Sequence, residues 1–136
     1  MASITTTAYA LQARVDTPYE RAIEQIVAAL KQEGFGILTE IDVKQTMKQK
    51  IDADFRRYVI LGACNPNLAY QALQNELEIG LILPCNVIVY EDGEGSVISI
   101  ADPVTMLQVA GNPETEPIAC DAQERLTRAL ESVAAG

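Results

Sequence analysis

Two apolar runs of strand length set the first limit on what this chain can fold into. Tyr58-Val59-Ile60-Leu61-Gly62-Ala63-Cys64 is nearly continuous in apolar residues. A run of this kind predicts a central strand buried on both faces. The second run covers residues 81–91 and is interrupted by Pro84. Proline has no amide hydrogen to give a ladder, so an edge, bulge or bend is expected there. Glu91-Asp92-Gly93-Glu94-Gly95 then reads as a hairpin turn, and residues 96–101 return as the paired strand.

Helix punctuation surrounds these runs. Thr17-Pro18-Tyr19-Glu20 reads as a capping box with proline at the first helical position, opening a helix whose stripe is Ala22, Ile23, Ile26, Val27 and Leu30. Gly34 supplies its left-handed stop. Asp42, with Gln45 three residues on, caps a short helix expected to turn Val43 and Met47 inward. Asn65-Pro66 and Asp102-Pro103 each read as a cap followed by a first helical residue. The helix after Asn65 buries Leu68, Ala69, Ala72 and Leu73, and a closing helix spans residues 116–134 after a loop at 111–117. Residues 4–15 and 35–41 complete the strands. The expected fold is α+β, an α/β sandwich. It has a mixed sheet of about five strands, helices packed on it, and an antiparallel hairpin in the C-terminal part. At 136 residues the chain forms a single domain, 1–136.

Charge and composition remove whole classes of function. Residues 1–68 balance 8 acids against 8 bases, whereas residues 69–136 hold 11 acids and only Arg125 and Arg128. Nucleic acid and anionic membranes both need a basic footprint, so neither is an expected partner. Nowhere does the chain reach the roughly 18 apolar residues of a membrane helix. The first residues, Met1-Ala2-Ser3-Ile4, lack the basic and apolar regions of a secretory signal. Three free cysteines, an odd number, complete the expectation of a reducing cytoplasmic setting. With no histidine, a Ser-His-Asp or Cys-His pair, a His metal ligand and an imidazole switch are all excluded.

Cysteine is thus the main candidate for chemistry. Cys64-Asn65-Pro66 and Pro84-Cys85-Asn86 both set a Cys-Asn step beside a proline, 21 residues apart. Cys64 also precedes a helix N-terminus, where the helix dipole favours a thiolate. If the two strands are neighbours, both thiols can face one cavity. There they can attack a disulfide, carry a persulfide, ligate a soft metal or simply pack. Cys64, Asn65, Cys85 and Asn86 are the candidate ligand-binding residues.

Other candidates are weaker. Glu76, Glu78, Glu91, Asp92, Glu94 and Asp102 are rich in oxygen but follow no cation-loop spacing, and they read as a solvated face with no metal expected. Gly34-Phe35-Gly36 lies after a helix and before a strand, the reverse of a phosphate cradle. Tyr58, Tyr70 and Tyr90 can orient a ligand from a pocket wall or serve packing alone. Lys44, Lys48, Arg56 and Arg57 form the one basic cluster, a complement to the acidic half of a second copy.

Three ordered blocks resemble a known family: Gly34-Phe35-Gly36-Ile37-Leu38-Thr39-Glu40-Ile41-Asp42, then Tyr58 through Pro66, then Gly80-Leu81-Ile82-Leu83-Pro84-Cys85-Asn86-Val87-Ile88-Val89-Tyr90-Glu91. They look like the blocks of domain of unknown function family 302 (DUF 302), over about residues 9–107 with the closing helix included. The resemblance implies a small bacterial or archaeal α+β protein found as a homodimer. No reaction, cofactor or catalytic residue follows from it. Many members carry a basic residue after the second cysteine, where this chain has Asn86.

Three functions remain open at this level. The first is a homodimeric binding module holding a small-molecule ligand near the two Cys-Asn steps. The second is a thiol-based redox or sulfur-carrier protein using Cys64 and Cys85, and the third a structural dimer whose cysteines only pack.

Overall fold

The computed structural model describes residues 4–135. Met1, Ala2 and Ser3 of the stretch read as lacking a secretory signal lie outside them, as does Gly136 at the end of the expected domain. The strands are β1 (Thr5–Thr6), β2 (Ala10–Val15), β3 (Gly36–Asp42), β4 (Tyr58–Cys64), β5 (Cys85–Asp92) and β6 (Gly95–Ala101). The helices are α1 (Tyr19–Gln32), α2 (Val43–Ile51), α3 (Pro66–Asn75), α4 (Pro103–Gln108) and α5 (Glu116–Ala135).

All six strands form one sheet in the order β1-β2-β6-β5-β4-β3. The fold is α+β as expected, with two differences in the sheet. Every ladder is antiparallel rather than mixed. There are also six strands instead of about five, because residues 4–15 divide in two. Thr7 Oγ1 accepts the amide of Ala10 at 3.0 Å and turns the chain, so β1 folds back on β2.

The core lies between one face of this sheet and helices α1 and α5. Register aligns Ala13, Ile98, Val89 and Val59 across four strands, and Leu11, Ile100, Val87 and Leu61 across the same four. All eight are buried. The stripe Ala22, Ile26, Leu30 of α1 and Leu126, Ala129, Leu130 of α5 close over them. The amphipathic period of both helices thus finds its complement in the pleat of the sheet.

Four local expectations need correction. Thr17 does not cap α1: Pro18 occupies the cap position without a side-chain hydrogen bond, while the Thr17 carbonyl accepts from buried Ser96 Oγ at 2.7 Å. Helix α2 buries none of its residues, Val43 and Met47 included, because it lies at the rim of the sheet beside edge strand β3. Leu73 is exposed rather than part of the buried face of α3. Strand β5 begins only at Cys85, preceded by a 3₁₀ turn at Leu77–Leu81; Pro84 marks the boundary because it cannot enter the ladder.

Among the described residues the opposite face of the sheet has no comparable helical cover. β4 is interior, between β3 and β5, but only its alternate residues Val59, Leu61 and Ala63 face the core. Tyr58 and Ile60 point the other way and stay half-exposed. Register sets Ile41 beside Ile60 and Ile60 beside Ile88, with Tyr58 beside Tyr90. The two tyrosine rings stack at 5.4 Å, and Phe55 meets Tyr58 at 5.9 Å.

Candidate functional site

Asn65 ends β4 and starts α3. Its side-chain Oδ1 accepts the Leu68 amide at 3.3 Å, satisfying one of the orphan donors of the first turn. Pro66 follows at the first helical position, as the Asn-Pro step predicts. Asp102 does the same for α4, accepting from the Val104 amide at 3.0 Å and from Gln123 Nε2 of α5 at 2.9 Å. These two caps aim α3 and α4 at α5 and leave a cavity of about 90 Å³ at the end of the sheet.

All four predicted site residues, Cys64, Asn65, Cys85 and Asn86, line that cavity. They arrive there through the β4–β5 ladder, in which Ala63 opposes Cys85 and Gly62 opposes Asn86. The remaining wall is almost wholly apolar; Phe35, Leu68, Leu83 and Met106 are part of it. Gly34, just past the end of α1, packs against the Asn65 side chain. Its φ of +87° suits glycine, and a Cβ there would lie 2.9 Å from Asn65 Nδ2.

The electrostatics of the cavity follow from the burial of its thiols. Burial pushes the Cys85 thiol up to about 11, and the neighbouring Cys64 adds to the effect. Burial also raises the Cys64 thiol. Both therefore carry their protons at neutral pH, and desolvation outweighs the thiolate preference expected at a helix N-terminus. Cys120 is exposed on α5 and takes no part in the site.

The other sequence candidates scatter. Glu91 receives the Arg57 backbone amide and Nε, both at 3.0 Å, and Asp92 receives Arg14 Nε at 3.0 Å. Glu76 accepts from Asn112, and Asp102 is a cap. Among the described residues no three Cys, Asp or Glu side chains gather as a metal set. Gly34 is a helix stop and not a phosphate loop. Tyr70 is exposed and accepts from Gln74, whereas Tyr58 and Tyr90 line a shallow groove of about 630 Å³ on the open sheet face. The basic cluster is engaged within the chain. Lys44 reaches the Phe55 carbonyl, Lys48 pairs with Asp52 and Asp54, Arg57 pairs with Glu91 and Glu20, and Arg56 lies over the Tyr90 ring.

Sequence reasoning missed Met106, Phe35 and Leu83. An apolar residue on a helical stripe or beside a strand gives no sign that it borders a cavity rather than filling the core. No helix among the described residues is long and apolar enough to cross a membrane.

No curated protein matches this chain. One solved structure that does is a crystal structure of an uncharacterized conserved DUF302 protein from Bacillus stearothermophilus. It is 30% identical, covers 93% of this chain and 98% of its own, and superposes with a TM-score of 0.86. The family described as "Domain of unknown function DUF302" matches residues 11–133, nearly the whole of the sheet-and-helix body that builds the cavity, and the chain belongs to that family.

Proposed function

We propose that this protein is a binding module, a homodimer in which each copy holds a small, largely apolar ligand at Cys64, Asn65, Cys85 and Asn86. One observation carries the reading: two Cys-Asn steps 21 residues apart border a single apolar cavity. Convergent polar groups in a mostly apolar hollow are the usual make-up of a small-molecule site. Xenon under pressure is a suitable probe, since it occupies dry apolar cavities of comparable size. Amide NMR should show shifts at Leu68, Cys85 and Leu107 on adding xenon, and Ala69→Leu, which fills the cavity, should remove them. Unmoved amides in the unsubstituted protein would overturn the reading.

The raised thiols weigh against the redox or sulfur-carrier alternative, because the protonated form is the poor nucleophile. Alkylation of native protein at pH 7 should label exposed Cys120 ahead of Cys64 and Cys85. Labelling of Cys64 first would restore that alternative.

The dimer is best supported by the open sheet face. The aligned run Ile41, Ile60, Ile88 is apolar where a solvated antiparallel sheet would be polar. The basic side chains first considered for the contact already have partners within the chain. Sedimentation should give a dimer at micromolar concentration and a monomer for Ile88→Lys. A monomeric unsubstituted protein would remove the dimer from the proposal.

A further inference from the structure

Arg14, Arg21, Arg57, Arg125 and Arg128 each pair with a carboxylate. Arg56 stands apart. Among the described residues its guanidinium makes no ion pair and one hydrogen bond, from Nη1 to the Glu91 carbonyl at 3.2 Å. A guanidinium is a fork of N–H donors that keeps its charge at any ordinary pH, so most of the Arg56 donors remain without a protein partner. Its central carbon lies 5.7 Å over the Tyr90 ring. Tyr90 in turn stacks on Tyr58 at 5.4 Å, and Phe55 meets Tyr58 at 5.9 Å. These four side chains form one set by direct contact, and all of them line the groove of about 630 Å³ on the open sheet face.

The groove departs from the rest of the chain in its charge. The protein has a formal net charge of −9, yet among the described residues no Asp or Glu lines the groove and Arg56 is its one charged side chain. Phe55 and Tyr9 leave aromatic surface open to water along it. Ser99 adds an unmet polar group. Ile98 and Ile100 face the core, so alternation turns Ser99 to the groove. Ser99 is 7% exposed, and its hydroxyl has no hydrogen-bond partner among the described residues. A hydroxyl so enclosed is ordinarily partnered. Register sets Gln12 and Ile88 on either side of Ser99, with Tyr90 at the diagonal position, about 7–8 Å away.

We propose that this groove is a second binding site, for a planar aromatic carboxylate. The carboxylate takes two parallel N–H donors of Arg56, the charge-assisted pairing that a guanidinium fork suits. The ring lies against Phe55 and the stacked Tyr58–Tyr90 pair, where aromatic contact adds to the area buried. A polar substituent at the far end of the ring meets the Ser99 hydroxyl and the Gln12 amide. Each part of the ligand answers one feature: a neutral aromatic molecule leaves Arg56 unmet, and an inorganic anion leaves the aromatic wall wet. The site goes beyond the binding reading above, since the groove and the cavity share no lining residue. The apolar row offered as the dimer contact meets the groove at Ile88 alone, with Ile41 and Ile60 outside it, so the groove flanks that contact.

The test is a titration of the full chain with 6-hydroxy-2-naphthoate, followed by the probe's own fluorescence, which no tryptophan in the chain overlaps. Saturation at a single site per chain is expected, with amide shifts at Ile88, Tyr90 and Ser99. Arg56→Gln should weaken binding roughly 10- to 100-fold, the worth of hydrogen bonding to a charged group. Ser99→Ala should weaken it roughly 2- to 10-fold, the worth of a neutral hydrogen bond. Arg21→Gln removes the same charge from the exposed side of α1 and should leave affinity unchanged. Neutral 2-naphthol, which lacks the carboxylate, and 4-hydroxycyclohexanecarboxylate, which lacks the aromatic ring, should both bind far more weakly. Absence of binding to the unsubstituted chain, full affinity in Arg56→Gln, or equal affinity for either comparison compound would overturn the site. Amide shifts at Leu68 and Leu107 instead would seat the probe in the cavity and overturn the groove as its place. Xenon uptake by the cavity depends on none of these outcomes, so the two sites stand or fall separately.

Discussion

Gly62 of β4 packs against Pro84, whose ring Cγ lies 2.8 Å from the position a Cβ on Gly62 would take. That position also overlaps Thr39 Oγ1 on the neighbouring edge strand. The glycine is therefore a spacing device: its missing side chain lets β3 and the residue before Cys85 close on β4 together. Gly62→Ala should cost about 1–3 kcal/mol, the usual range for overpacking a filled site. Urea denaturation measures this directly. Adding Thr39→Ala should recover part of the loss, because it clears one of the two obstructions. An unchanged midpoint in the single variant would show that the strands move apart freely.

Gly34→Ala should act at the site from a different element. At φ +87° a side chain meets the left-handed penalty of about 1–2 kcal/mol. Its Cβ would also press on Asn65 Nδ2, whose amide group caps α3. Loss of stability should be accompanied by shifted amides at Asn67 and Leu68, in the first turn of α3. A loss confined to the end of α1 would mean that Asn65 adjusts without disturbing its cap.

Asp102 joins two helices through one oxygen, which serves both the Val104 amide and Gln123 Nε2. Asp102→Ala removes a cap and a hydrogen bond to a charged group, so the expected cost is about 2–3 kcal/mol. Gln123→Ala should cost less, and the double variant should fall short of the sum because the two residues share the interaction. Strict additivity in this cycle would show that Gln123 contributes nothing through Asp102.

The local parts of this arrangement are legible in the sequence because they depend on residues a few positions apart. Asn65-Pro66, Asp102-Pro103 and Gly34 declare their roles as two caps and a stop, and all three perform them. The apolar run of β4 likewise gives its own limits. What encloses each element is set by distant chain. A continuous apolar run such as β4 looks the same whether a helix or solvent lies beyond Tyr58 and Ile60, and here, among the described residues, helices cover one face alone. That Cys64 and Cys85 border one cavity depends on the β4–β5 register, and Met106 reaches it only because α4 folds back over the strand ends. Thr7 shows the reverse case, a local side-chain hydrogen bond strong enough to divide a strand that composition alone joins.

The buried thiols give the protein an alkaline weakness with a definite sign. Below the ordinary thiol value of 9.0, folded and unfolded chains both hold the Cys85 proton, and this group leaves stability independent of pH. Above it the unfolded chain releases the proton while the folded chain, with the group at about 11, retains it. The folded state then binds more protons, so stability falls as pH rises, and the loss is complete once the folded thiol ionises as well. At about 1.4 kcal/mol per pKa unit the fall is roughly 2–3 kcal/mol between pH 9 and 11. Cys64 and Tyr19, both raised by burial, push in the same direction. Thermal unfolding under reducing conditions at pH 8 and pH 11 measures the fall. Cys85→Ala is less stable throughout because it loses packing, yet its slope against pH should be shallower than that of the unsubstituted chain. Equal slopes would place the alkaline loss elsewhere and show that Cys85 reaches solvent more freely than its walls suggest.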